Sequence, residues 1–143
     1  MALEAGPLQM PVLEIEDHDE LYRRIHRTQF SRDGEVTPAA FITNWRPDNQ
    51  VSVDLARLTT PDETLKRGPQ DVTHYGLGVL IAGYPRSLAF VVRHFPSPAN
   101  YAHSLIEGGN SRKKCLLLAE HTKPIRYPGG QGTSMRSPSG KTA

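Results

Sequence analysis

A chain of 143 residues with 37% hydrophobic content suffices for one domain with tails and excludes a second core. A single cysteine excludes an internal disulfide and a cysteine-rich zinc site, and no apolar run approaches the ~18 residues needed to span a bilayer. The formal charge of +2 hides a dipole: residues 1–71 hold 8 Lys/Arg against 13 Asp/Glu, and residues 72–143 hold 9 against 2. The basic half therefore calls for a polyanion, an acidic partner, or the acidic half of its own fold.

The chain divides into an acidic N-terminal arm over residues 1–19, an α+β domain over 20–126, and a tail over 127–143. The arm carries Pro7, Pro11 and an acidic run from Glu14 to Glu20. It lacks the basic n-region and continuous apolar h-region of a secretory signal, so a cytoplasmic setting is expected. Leu21-Tyr22-Arg23-Arg24-Ile25-His26 predicts a strand. Val36 to Phe41 predicts a weaker one, confined to an edge by Pro38. Val51-Ser52-Val53-Asp54-Leu55 alternates as a short strand. Thr60-Pro61-Asp62-Glu63 starts a brief helix, with a Thr cap, Pro at the first helical position and acids in the first turn, ended by Gly68-Pro69.

Tyr75 to Ala82 and Leu88 to Phe95 are apolar segments around Gly83-Tyr84-Pro85-Arg86-Ser87, which predicts an antiparallel hairpin. Pro96 and Pro98 make the next stretch irregular, and Ala102 to Glu107 returns as a short strand, with a helical turn as the lesser alternative. Asn110 or Ser111 caps a second helix whose inward stripe is Cys115, Leu116 and Ala119. The tail is rich in Gly, Ser, Pro and Thr and cannot offset its ordering entropy, so it is expected to be disordered. The sum is a single small α+β domain: a mostly antiparallel sheet of five or six strands with two helices.

Three groups of residues carry chemistry. His94, Asn100 and His103 follow or flank a Pro-containing loop, and two imidazoles can act as acid and base near neutral pH. Their spacing does not make a metal site. Asp54 ends a strand, where a carboxylate can act as a base, or cap a turn and pair with Arg57. Arg93, Arg112, Lys113, Lys114, Lys123 and Arg126 form a basic set. Gly108-Gly109-Asn110-Ser111 before the helix could hold a phosphate, although the P-loop spacing is absent. Trp45, within a polar loop, could anchor an interface. Cys115 is expected as a small buried thiol.

The opening Leu21-Tyr22-Arg23-Arg24-Ile25-His26, with Arg24, Ser52 and Glu107 on successive strands, resembles the Arg–Ser–Glu pattern of ADP-ribosyltransferases and the start of RES-type NAD-consuming toxins. The resemblance implies NAD as the bound cofactor or substrate. Arg24 would hold its phosphates, Ser52 its nicotinamide side, and Glu107 the oxocarbenium-like transition state, with Tyr22 or Tyr75 stacking the ring. Val51-Ser52-Val53 stands where those enzymes carry Ser-Thr-Ser. The order AAF, VSVD, hairpin, N-x-x-H and LIEG also resembles small bacterial proteins, which implies a prokaryotic intracellular setting.

These features predict a small cytoplasmic binding or accessory subunit that needs no cofactor. Its basic half would contact nucleic acid or an acidic protein surface, and its arm would reach a protein partner. The alternatives are an NAD-dependent enzyme or toxin, and an antitoxin-type inhibitor acting through the arm.

Overall fold

The computed structural model describes residues 10–42, 49–68 and 73–129. Six strands form one sheet: β1 (Glu20–His26), β2 (Val51–Leu55), β3 (Tyr75–Ile81), β4 (Val91–His94), β5 (His103–Glu107) and β6 (Lys123–Arg126). Their order is β4-β5-β2-β1-β3-β6, with every pairing antiparallel. Three helices accompany them: α1 (Pro61–Lys66), α2 (Gly83–Ser87) and α3 (Arg112–Glu120). The fold is thus α+β, as composition and patterning predict.

Alternation along the strands gives the sheet two unlike faces. Leu21, Ile25, Val51, Val53, Leu55, Leu80, Val92 and Ile106 turn one way into the main core, which Phe30, Phe41, Phe90, Cys115 and Leu118 complete. Gly76 and Gly78 stand on this face of β3, where neighbours come very close. A methyl group on Gly76 would lie 2.5 Å from the Arg126 carbonyl oxygen, and one on Gly78 would lie 2.5 Å from the Thr122 methyl. The other face carries Tyr22, Arg24, Ser52, Asp54, Tyr75, Arg93, His103 and Glu107. Helix α1 contacts β1 and β3, with Leu65 and Leu77 buried.

Helix α1 starts as its sequence dictates: the Thr60 hydroxyl accepts from the Glu63 amide at 3.2 Å, with Pro61 in the first turn. Helix α3 is capped by Ser111, which accepts from the Lys114 amide at 3.2 Å. Its buried stripe is Cys115, Leu118 and Ala119, spaced i, i+3, i+4. Leu116, expected inward, is 44% exposed.

Four other features depart from the sequence-based expectations. The segment Pro38–Phe41 is a 3-10 turn, because Pro38 fits a first helical turn better than a strand ladder. The expected β3–β4 hairpin does not form. Residues Gly83–Ser87 coil into α2, and β3 pairs with β1 and β6 while β4 pairs with β5 at the far edge. The true hairpin is β4–β5, across the Pro-containing loop. Finally, Tyr127 belongs to the body: it is buried and its hydroxyl donates to the Gly34 carbonyl at 2.9 Å.

Residues 10–19 of the arm are fastened to the body. Ile15 is buried in the core. Arg57 donates to Asp19 at 3.0 Å and to the Glu14 carbonyl at 2.7 Å. The Tyr101 hydroxyl donates to the Pro11 carbonyl at 2.8 Å. Residues 1–9, Trp45 and the tail from residue 130 lie outside the described residues. Among the described residues, no helix is long and apolar enough to cross a membrane.

Candidate functional site

β1 and β2 pair only at Leu21↔Leu55 and Tyr22↔Asp54. Beyond that point Arg23 takes the place of the ladder: its Nη1 donates to the Ser52 carbonyl at 2.9 Å, and its Nε and Nη2 donate to the Ala40 carbonyl at 3.0 and 2.7 Å. A cleft of about 330 Å³ opens here, lined by β1, β2, α1, Tyr75 and Asn100.

Three arginines line this cleft, Arg23, Arg24 and Arg67, against one carboxylate, Asp54, with the Arg23 guanidinium engaged by the Ala40 and Ser52 carbonyls. Arg24 lies over the Tyr75 ring at 3.8 Å, a diagonal contact across the β1–β3 pair. Burial pulls the Arg24 guanidinium below its ordinary pKa, opposed by its neighbours Tyr75 and Asp54. His26 packs edge-on against Tyr75 at 5.2 Å.

Asp54 is the hub of the polar lining. The Thr64 hydroxyl donates to it at 2.8 Å, Asn100 Nδ2 donates at 2.8 Å, and the Arg67 guanidinium completes the set. Thr64 of α1 and Arg67, the residue that caps its C-terminal end, both reach down to it. The expected Asp54–Arg57 pair is absent; Arg57 instead bonds Asp19.

The structure separates His94 from Asn100 and His103. His94 is buried on the core face, accepting from the Leu13 amide at 2.9 Å, with its Nε2 2.6 Å from the Tyr101 carbonyl. It ties down the arm and shares no site with His103: His94 pairs across the ladder with Ser104, and His103, next to Ser104 along β5, faces the opposite way. Asn100 lines the cleft, and its Oδ1 accepts from the Ala102 amide at 3.0 Å. His103 stands on the open face, with Nε2 3.2 Å from Ser52 Oγ and Nδ1 2.8 Å from the Phe95 carbonyl.

Arg24 and Ser52 both line the cleft, but Glu107 does not. Glu107 accepts from Arg93 Nε at 2.6 Å and from Gln50 Nε2 at 2.6 Å. The Arg93 hydrogen bond holds its carboxyl below the usual range, against the opposing effect of burial. The trio of Arg24, Ser52 and Glu107 shares a sheet face without sharing a cavity.

The basic residues do not form one patch. Arg93 lies on edge strand β4, Lys123 and Arg126 on the opposite edge strand β6, and Arg112, Lys113 and Lys114 on α3. Arg112 and Lys113 border a second groove, lined also by Thr37, Pro38, Ala39, Ile42 and Leu116. Cys115 is buried, and burial raises its thiol pKa. Among the described residues, no three His, Cys, Asp or Glu side chains gather as a metal site.

Sequence reasoning missed Arg23, Thr64, Arg67 and Gly68. The spacing of Thr64 and Arg67 was the available signal, but only the fold reveals Asp54 beneath them. Compared with protein-family models, curated proteins and solved structures, the chain matches none.

Proposed function

We propose that this protein binds a small phosphate-bearing ligand of the nucleotide class in the cleft between β1, β2 and α1. The observation that carries this reading is the lining: three arginines against one carboxylate, beside the His26–Tyr75 aromatic pair. Guanidinium forks match phosphate oxygens in charge and geometry, and Tyr22 and Tyr75 offer surfaces for a planar base. NAD belongs to this class and is the ligand that the resemblance at Arg24 and Ser52 implies. The arrangement at Glu107 favours binding over ADP-ribosyl transfer, since that carboxylate is engaged by Arg93 and Gln50 outside the cleft. Calorimetric titration with ADP-ribose, NAD and AMP tests it. Saturable binding weakened at least tenfold by Arg67→Ala is expected, and absence of binding for all three ligands overturns the reading.

A second reading, a cytoplasmic accessory subunit with a protein partner, draws support from the groove of about 640 Å³ beside α3. Its floor is apolar and its rim carries Arg112 and Lys113, which suits a partner segment with acidic and apolar residues. Binding of an acidic amphipathic peptide that Leu116→Glu abolishes is expected on this reading. For a nucleic-acid partner, the expected sign is affinity that falls steeply with salt; no binding to single-stranded, duplex or RNA probes at low salt removes that version.

A further inference from the structure

We infer that Ser52 is a nucleophile toward phosphate esters, with His103 as its general base. This rests on the phosphate-binding reading of the same cleft. Ser52 is exposed on β2 and lines the cleft, with its Oγ 3.2 Å from His103 Nε2. The register pairs Asp54 with His103, so Ser52 and His103 are diagonal neighbours on the same sheet face.

The hydrogen bonds assign the tautomer. His103 Nδ1 lies 2.8 Å from the Phe95 carbonyl oxygen, which can only accept, so Nδ1 carries the proton. Nε2 then presents its lone pair to the Ser52 hydroxyl. This is the relation of nucleophile, base and orienting group that activates a serine. The ring's strand is held as well: the Phe95 amide donates back to the His103 carbonyl at 2.9 Å, and the His103 amide donates to the Asn100 carbonyl at 3.2 Å. On the other side, Arg23 fixes the Ser52 carbonyl at 2.9 Å.

The charges choose the electrophile. Arg23, Arg24 and Arg67 line the cleft that Ser52 enters, and cations of this kind stabilise the charge on phosphoryl oxygens as a transition state forms. Ser52 Oγ bonds to phosphorus while the bond from phosphorus to the leaving oxygen breaks. The serine proton passes to His103 Nε2 and then to the leaving alkoxide. Water, giving a proton to the same nitrogen, next displaces Ser52 from phosphorus, and that proton returns from His103 Nε2 to the departing Ser52 oxygen. One water is consumed, and the ester is divided into an alcohol and a phosphate.

The test treats the full chain with a fluorophosphonate probe and locates the adduct by peptide mass spectrometry. In parallel it follows nitrophenolate release from bis(4-nitrophenyl) phosphate. Labelling at Ser52 is expected, at least tenfold slower in His103→Gln and lost in Ser52→Ala, with hydrolysis falling in step. An unlabelled Ser52 in the folded wild type overturns the inference, whatever the variants do. So does labelling that His103→Gln leaves unchanged while its circular dichroism matches the wild type. ADP-ribose titration separates the two levels. Ligand binding without Ser52 labelling overturns the nucleophile and keeps the binding site. Labelling without ligand binding keeps the dyad and overturns the phosphate-ligand reading, and with it the phosphate-ester substrate.

Discussion

Gly68 leaves the space that Arg24 fills: a methyl group added there would overlap the Arg24 Nη1 and Cζ atoms. The overlap falls on the end of a side chain, so the backbone need not move, but Arg24 must leave Tyr75. Gly68→Ala should therefore weaken ADP-ribose binding about tenfold or more, the loss of a charge-assisted contact, with a change of under about 1 kcal/mol in urea denaturation. Glu107 behaves differently. Its carboxyl is held below the usual range by Arg93, so its contribution is present above the unfolded-state pKa and is lost as pH falls through the folded value. Because the Arg93 side chain is 42% exposed, that contribution is about 1 kcal/mol at most. Glu107→Gln should lower stability by about that amount at pH 7, flatten the acid limb of the stability curve, and leave ligand binding at wild-type strength.

At the scale of elements, caps and stripes set what a side chain can meet. Cys115 sits on the buried stripe of α3, its Sγ 3.5 Å from the Phe41 carbonyl and 3.4 Å from Asn110 Oδ1. Burial raises its pKa, so a thiol reagent such as DTNB should react with native protein ~100-fold more slowly than with protein in guanidinium. Prompt reaction of the native thiol would contradict the packing. The helix starts at Thr60 and Ser111 were legible because a cap is local: one hydroxyl, one amide, three residues apart. The strands β1, β2 and β5 were legible as short local segments, β2 from its alternation. Pairing was not, since it depends on which edges meet. The five residues Gly83–Ser87 have turn composition, yet they wind into α2 because Tyr84 and Leu88 have core to cover. The same limit explains the site. Ser52 and His103 were each visible in the sequence, in different trios, and only the β2–β5 register joins them.

At the scale of the molecule, the charge dipole is partly satisfied from within. Arg86 pairs with Asp17 at 2.7 Å and Arg126 approaches Asp62 at 4.0 Å, so acids of the first half meet cations of the second. The arm takes part in this closure, with His94 as its inner anchor. His94→Phe would strand the Leu13 amide and the Tyr101 carbonyl, and should cost about 2 kcal/mol in urea denaturation. Cleavage after Glu14 or Glu16 by a glutamate-specific protease would accompany that loss. A stability unchanged from wild type would mean that the arm is held by Ile15 and Arg57 without it.

The short contact between β1 and β2 has a mechanical consequence. Two residue pairs join β4-β5-β2 to β1-β3-β6 at the middle of the sheet, so the domain is two leaves sewn along a brief seam, with Arg23 as the extra stitch. A molecule lodged over that seam would clasp both leaves at once. Amide hydrogen exchange at residues 23, 24, 52 and 53 should then slow more on ligand addition than exchange within either leaf.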